Sequence, residues 1–218
     1  MFFPERIRSI GPRDRVLEVG PGSLPHRRSD VFLERRMADE AAAFAQRGYQ
    51  PNAADESRMV YYDGGRFPFQ DGEFDYVICS HVIEHVPAGE LSGFIAELQR
   101  VAPRGYLEFP NVFYELINYQ DVHLWLMNFR DGAMLFLDKS AFRSSFIHKA
   151  YREMFYGPDD YLYATFHRFR EFYFHGYEWE RRIDWRIVSG FDELVNEDDY
   201  NRVRAYFAGR RPRQAQAV

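Results

Sequence analysis

Apolar positions in the first half of the chain fall into short runs set apart by polar, glycine-bearing segments. Arg15–Gly20 (RVLEVG), Asp30–Glu34 (DVFLE), Arg58–Asp63 (RMVYYD), Phe74–Ser80 (FDYVICS) and Gly105–Pro110 (GYLEFP) read as five buried strands. Between them, Met37–Gly48 carries an alanine-rich helical pattern closed by a glycine. Leu91–Val101 places Leu91, Phe94, Ile95, Leu98 and Val101 on one helical face. Strands alternating with helices predict an α/β fold, a Rossmann-like, mostly parallel sheet with helices packed on it.

The pattern changes after Pro110. His123–Phe129 and Ala133–Leu137 flank Asp131-Gly132, a two-residue hairpin signal, and predict an antiparallel hairpin at the sheet edge. Ala141–Phe155 and Tyr161–Tyr173 look helical and aromatic-rich, and Glu178–Val188 alternates like a strand or hairpin. We therefore divide the chain into a domain over residues 1–140 and an extension, 141–218, packed on the same domain. The aromatic share is high, with 21 Phe and 15 Tyr in 218 residues. Those rings are candidates for a pocket cap, a homodimer contact or plain core.

Charge and cysteine usage narrow the partners. A formal charge of −5 gives no electrostatic reason to expect nucleic acid or an anionic membrane. The basic tail Arg210–Arg211–Pro212–Arg213 reads as a solvated end. A single cysteine, Cys79, rules out an internal disulfide and a cysteine-based metal site, and its apolar surroundings predict a buried, inert thiol. The sequence carries neither a signal-peptide pattern nor an apolar run of spanning length, so a cytoplasmic protein is expected.

The chemistry gathers where the strands end. Glu18-Val19-Gly20-Pro21-Gly22-Ser23 follows the first strand, and glycines there let the backbone approach a ligand closely. Pro25 stands where a nicotinamide-dinucleotide fingerprint would place its third glycine, which disfavours NAD or a nucleotide sugar. Glu34 ends the second strand, where a carboxylate can accept from two ribose hydroxyls. Asp63 ends the third, followed by Gly64, where it can accept from a purine amine. The fourth strand leads into Ser80-His81-Val82-Ile83-Glu84-His85-Val86.

Taken in order, LEVGPG, PFQDGEFDYVICSHVIEHV and ELQRVAPRGYLEFP resemble the class I S-adenosylmethionine-dependent methyltransferases, in particular the type 11-like small-molecule branch. The resemblance covers about residues 14 to 110. It implies S-adenosylmethionine as cofactor, with Glu18, Gly20, Pro21 and Gly22 at its methionine end and Glu34 on the ribose. It further implies Asp63 and Gly64 at the adenine, and Ser80 and His81 closing over the cofactor. A small-molecule methyl acceptor, donating through oxygen or nitrogen, is the implied partner. One departure is marked: only Pro21 to Ser29 separate the first two strands, so the usual first crossover helix is shortened or absent. That departure leaves open a second reading, a methyltransferase-like binding or assembly module without catalysis.

His81-x-x-Glu84-His85 literally matches an inverted zinc-protease motif, but it follows a strand and runs into Val86-Pro87, which stops a long helix. Some quinol O-methyltransferases resemble this segment with Glu-x-x-Glu-His and hold magnesium there. Here His81 replaces the first glutamate, a poor fit to a hard oxygen-ligand site, and no metal ligand is assigned. Glu84 and His85 order the loop on the plainest reading. His81, His85 and, from the cluster Asp121, His123 and Trp125, His123 are the candidate catalytic bases.

Overall fold

The computed structural model describes residues 1–37, 55–142 and 166–208. The strands are β1 (Val16–Val19), β2 (Val31–Arg35), β3 (Met59–Tyr62), β4 (Tyr76–Ser80), β5 (Arg104–Pro110), β6 (Trp125–Arg130), β7 (Ala133–Asp138), β8 (Phe174–Glu180) and β9 (Asp184–Ile187). The helices are α1 (Ala88–Val101), α2 (Val112–Ile117), α3 (Arg170–Tyr173), α4 (Phe191–Leu194) and α5 (Glu197–Ala208). The expected helix Met37–Gly48, most of Ala141–Phe155, the start of Tyr161–Tyr173 and the basic tail lie outside the described residues.

The main sheet runs β3-β2-β1-β4-β5-β8, with the first five strands parallel and β8 antiparallel to β5. All four residues of β1 are buried, as a central strand covered on both faces requires. α1 lays Leu91, Phe94, Ile95, Leu98 and Val101 on the sheet, the face its periodicity predicts. Pro103, just beyond, cannot continue the helix.

The crossover from β1 to β2 contains no helix. What holds it is a buried carboxylate. Glu18 Oε2 accepts from the His26 N–H at 2.8 Å and from the Ser29 hydroxyl at 2.6 Å, so one β1 side chain gathers the loop. Asp30 then reciprocates with Val16, its amide donating to the Val16 carbonyl and its carboxylate accepting the Val16 N–H. These bonds satisfy backbone groups that a crossover helix would otherwise have engaged.

The antiparallel edge is present, but β8 supplies it rather than the hairpin. β6 and β7 do form a hairpin, closed at Asp131-Gly132 with both φ angles positive, as a two-residue turn of this hand requires. That hairpin joins β9 in a separate three-stranded sheet. The physical reason lies in its two apolar faces. Trp125, Met127, Met134 and Phe136 enter the main core, while Leu126, Leu135 and Leu137 enter a second cluster with Val112, Val188 and Leu194. The edge of β5 that the hairpin is expected to take is occupied by β8. The stretch Glu178–Val188 accordingly divides between β8 and β9, which belong to different sheets. No helix among the described residues is long and apolar enough to cross a membrane.

Candidate cofactor pocket and its histidine flank

The carboxyl ends of β1, β2 and β4 open on one cavity of about 780 Å³, in the size range of small-molecule and cofactor sites. Glu18, Gly20, Pro21 and Gly22 reach it from β1, Glu34 from β2, and Ser80 and His81 from β4. His85 lines it as well, on the 3₁₀ turn Ile83–His85 that follows β4. Asp63 and Gly64 are not on its wall, which takes Gly65 and Arg66 from that loop instead. The Asp63 side chain is 77% exposed and pairs with Arg36 at 3.4 Å.

Gly20 explains the chain's shape at the mouth of the cavity. Its φ is +63°, and a Cβ there would stand 2.4 Å from Val82 Cγ2. Its amide donates to the Leu33 carbonyl at 2.9 Å, fixing the end of β1 against β2. Behind it, burial raises the pKa of Glu18 against the opposing hydrogen bonds from Ser29 and His26.

His81 sits in the left-handed region, φ 57°, uncommon for a residue with a side chain. Its Nε2 is 3.0 Å from Glu108 Oε1 and its Nδ1 is 3.3 Å from Glu84 Oε1. Both carboxylates are fully buried. Burial works to lower the His81 pKa, but the hydrogen bonds and charges of Glu108 and Glu84 prevail and raise it. Both ring nitrogens thus face a carboxylate, an arrangement that favours the charged form of the imidazole on the cavity wall. Glu108 also accepts from the Phe3 N–H, the Ser80 hydroxyl and the Tyr106 hydroxyl, and its pKa falls to about 2 despite its burial.

His85 is the opposite case. Burial lowers its pKa to about 4, so the ring is neutral near neutral pH. Nδ1 lies 3.1 Å from the Val122 carbonyl, which assigns the proton to Nδ1 and the lone pair to Nε2. Its ring meets His123 edge-on, centroids 4.7 Å apart. His123 is not on the cavity wall; its Nδ1 bonds Glu115, whose other oxygen accepts from Lys139 at 2.6 Å. Trp125, of the same sequence cluster as His123, is buried in the core and donates to the Val86 carbonyl at 2.7 Å.

Glu108, Glu115 and Lys139 escape a reading of motifs. Glu108 and Glu115 are each a lone charged residue within an apolar run, and Lys139 follows one beside Asp138; that incongruity is the one sequence signal they give.

Residues 33–109 match the family described as Methyltransferase domain. Over that segment, about a third of the chain, the protein is similar to methyltransferase domains. No curated protein sequence matches the chain. Among solved structures, one from Bacillus halodurans aligns at 19% identity and a TM-score of 0.37, covering 56% of this chain and 61% of that one. An S-adenosylmethionine-dependent methyltransferase of Thermotoga maritima aligns at 18% and 0.38, covering 56% and 59%. The PH0226 protein of Pyrococcus horikoshii aligns at 14% and 0.41, covering 82% and 87%. The chain thus spans about six tenths of the length of the first two.

S-adenosylmethionine is the cofactor that a methyltransferase domain implies. The cavity's donor set fits it. Bare backbone at Gly20 and Gly22, two buried carboxylates from adjacent strands, and an apolar wall from Leu33 and Tyr62 match a ligand with charged, hydroxylated and aromatic parts.

Proposed function

We propose that this methyltransferase domain transfers a methyl group from S-adenosylmethionine to an oxygen or nitrogen of a small polar metabolite in the cytoplasm. The observation that carries the reading is the single cavity on which Glu18, Gly20, Gly22, Glu34, Ser80 and His81 converge from three strand ends. When bound, the cofactor supplies a methyl group already activated by its sulfonium. The protein's share is then mainly positioning.

Glu34 would accept from the ribose hydroxyls, and Glu18 with the bare backbone at Gly20 and Gly22 would hold the methionine end. His81 has both ring nitrogens turned to carboxylates, Glu108 and Glu84, which leaves neither as a lone pair for an acceptor's proton. It sets the potential of the wall instead. His85, neutral and on the cavity wall, is the imidazole we assign to the acceptor's proton.

The helix-free crossover supports a second reading, a domain that binds the cofactor without turning it over. Calorimetric titration of the full chain with S-adenosylhomocysteine, followed by methyl-transfer assays over hydroxylated and amino metabolites, separates the two. Saturable binding with turnover of some acceptor supports the enzyme. Binding without turnover of any supports the module, and no binding overturns both.

A further inference from the structure

The geometry points to a divalent-cation site, of the zinc class, formed by Glu84, His85 and His123. The donor atoms of these three side chains all lie within 4.8 Å of one another. In a tetrahedral shell with donors about 2.1 Å from the ion, they stand roughly 3.4 Å apart, a closure within the reach of side-chain rotation.

Three observations support the assignment independently of that spacing. First, both carboxylate oxygens of Glu84 are buried and receive no well-formed hydrogen bond among the described residues. The neighbouring cation, His81, stands at 3.3 Å. That one long contact leaves most of the buried carboxylate's lone pairs unengaged, and a bound cation would engage them. Second, each imidazole is oriented from behind. His85 Nδ1 meets the Val122 carbonyl and His123 Nδ1 meets the Glu115 carboxylate, which leaves both Nε2 lone pairs for an ion. A second nitrogen anchored to a carbonyl or carboxylate is the usual support of a metal-binding histidine. Lys139, bonded to the far oxygen of Glu115, fixes that carboxylate in turn.

Third, the two segments that carry the donors are laced together before any ion arrives. The Leu124 N–H donates to the Glu84 carbonyl at 2.8 Å, and Trp125 Nε1 donates to the Val86 carbonyl at 2.7 Å. Together with the His85–Val122 bond, three contacts hold the 3₁₀ turn against the chain entering β6. The donors are thus preorganised, which lowers the entropic cost of capture. Two imidazoles and one carboxylate suit Zn²⁺ or Co²⁺ better than Mg²⁺, which prefers oxygen. His123 comes from outside the His81–His85 segment, so a motif search over that segment sees only part of the set. The cation would take the His85 lone pair that the proposed function offers to the acceptor, so metal binding is read by titration and not by turnover.

The test uses the full chain, stripped with chelator and titrated with Co²⁺ while its visible absorption is followed, then with Zn²⁺ in competition. One equivalent should bind with the intense bands of a four-coordinate ion, and Zn²⁺ should displace it. His123→Ala and His85→Ala should each weaken binding at least tenfold, while His26→Ala, remote from the cluster, should leave it unchanged. Glu84→Gln keeps the side-chain shape and decides the matter if an alanine variant fails to fold. Absence of saturable binding overturns the assignment, as does unchanged affinity in Glu84→Gln or His123→Ala.

Discussion

The His81 ring reaches the Glu108 carboxylate at 3.0 Å, where β4 and β5 end side by side. The pair makes stability depend on pH from both directions. Glu108 has its pKa lowered to about 2 from an ordinary 4.5, so its contribution is complete above 4.5 and is lost as pH falls toward 2. His81 has its pKa raised above 6.5, so its contribution is complete below 6.5 and is lost as pH rises through the raised value. Urea unfolding across a pH series should show strongest support from this pair between those limits. Glu108→Gln should cost about 1–3 kcal/mol and flatten both limbs, since it removes the carboxylate that His81, half-buried, is paired with. A variant with the parent's pH slopes would contradict the assignment.

Gly20 is fixed by two separate constraints, its left-handed backbone and the nearness of Val82. Gly20→Ala should lower S-adenosylhomocysteine affinity at least tenfold in calorimetry and lower the melting temperature. Adding Val82→Ala removes the contact at 2.4 Å but leaves the backbone penalty of about 1–2 kcal/mol, so recovery should be partial. Full recovery in the double variant would show that only the steric contact matters.

The two carboxylates expected to read the nucleoside should differ. Glu34 is buried on the cavity wall, whereas Asp63 is exposed at a distance from it and engaged with Arg36. Glu34→Ala should weaken S-adenosylhomocysteine binding by tenfold or more, about 1.4 kcal/mol, and Asp63→Ala by less than threefold. The reverse order would mean that Asp63 swings inward when ligand binds.

Lys139 and Glu115 are both buried, and the Lys139 ammonium also lies 3.8 Å over the Tyr119 ring. Glu115→Gln should destabilise the fold by roughly 3–5 kcal/mol by leaving Lys139 charged and stranded. Replacing both, as Glu115→Gln with Lys139→Met, should cost less than Glu115→Gln alone in chemical denaturation. Equal costs would show that the pair is not coupled.

Much of the fold is written locally. β1 to β5 follow from apolar runs, and the buried face of α1 follows from its spacing, because each pattern is set by neighbours a few positions away. The turn at Asp131-Gly132 is equally local. Which sheet the hairpin joins is not: it depends on β8 arriving to occupy the free edge of β5 from Arg104 to Pro110. The site divides along the same line. Glu18, Gly20, Glu34, Ser80 and His81 stand at strand ends and share the cavity. Glu108, Glu115 and Lys139 acquire roles only through remote partners, so no spacing in the sequence announces them.

The helix-free crossover has a consequence for the order in which the sheet assembles. Leu17 pairs with Val31 across the shortest closure in the main sheet, whereas Gly105 pairs with Trp179 across the longest. Shorter closures lose less chain entropy, and β1 with β2 has no intervening helix to dock. That pair is suited to nucleate folding, with β8 arriving last as a latch on β5. Until it does, β5 presents an open edge, and the time spent in that state sets the protein's exposure to self-association.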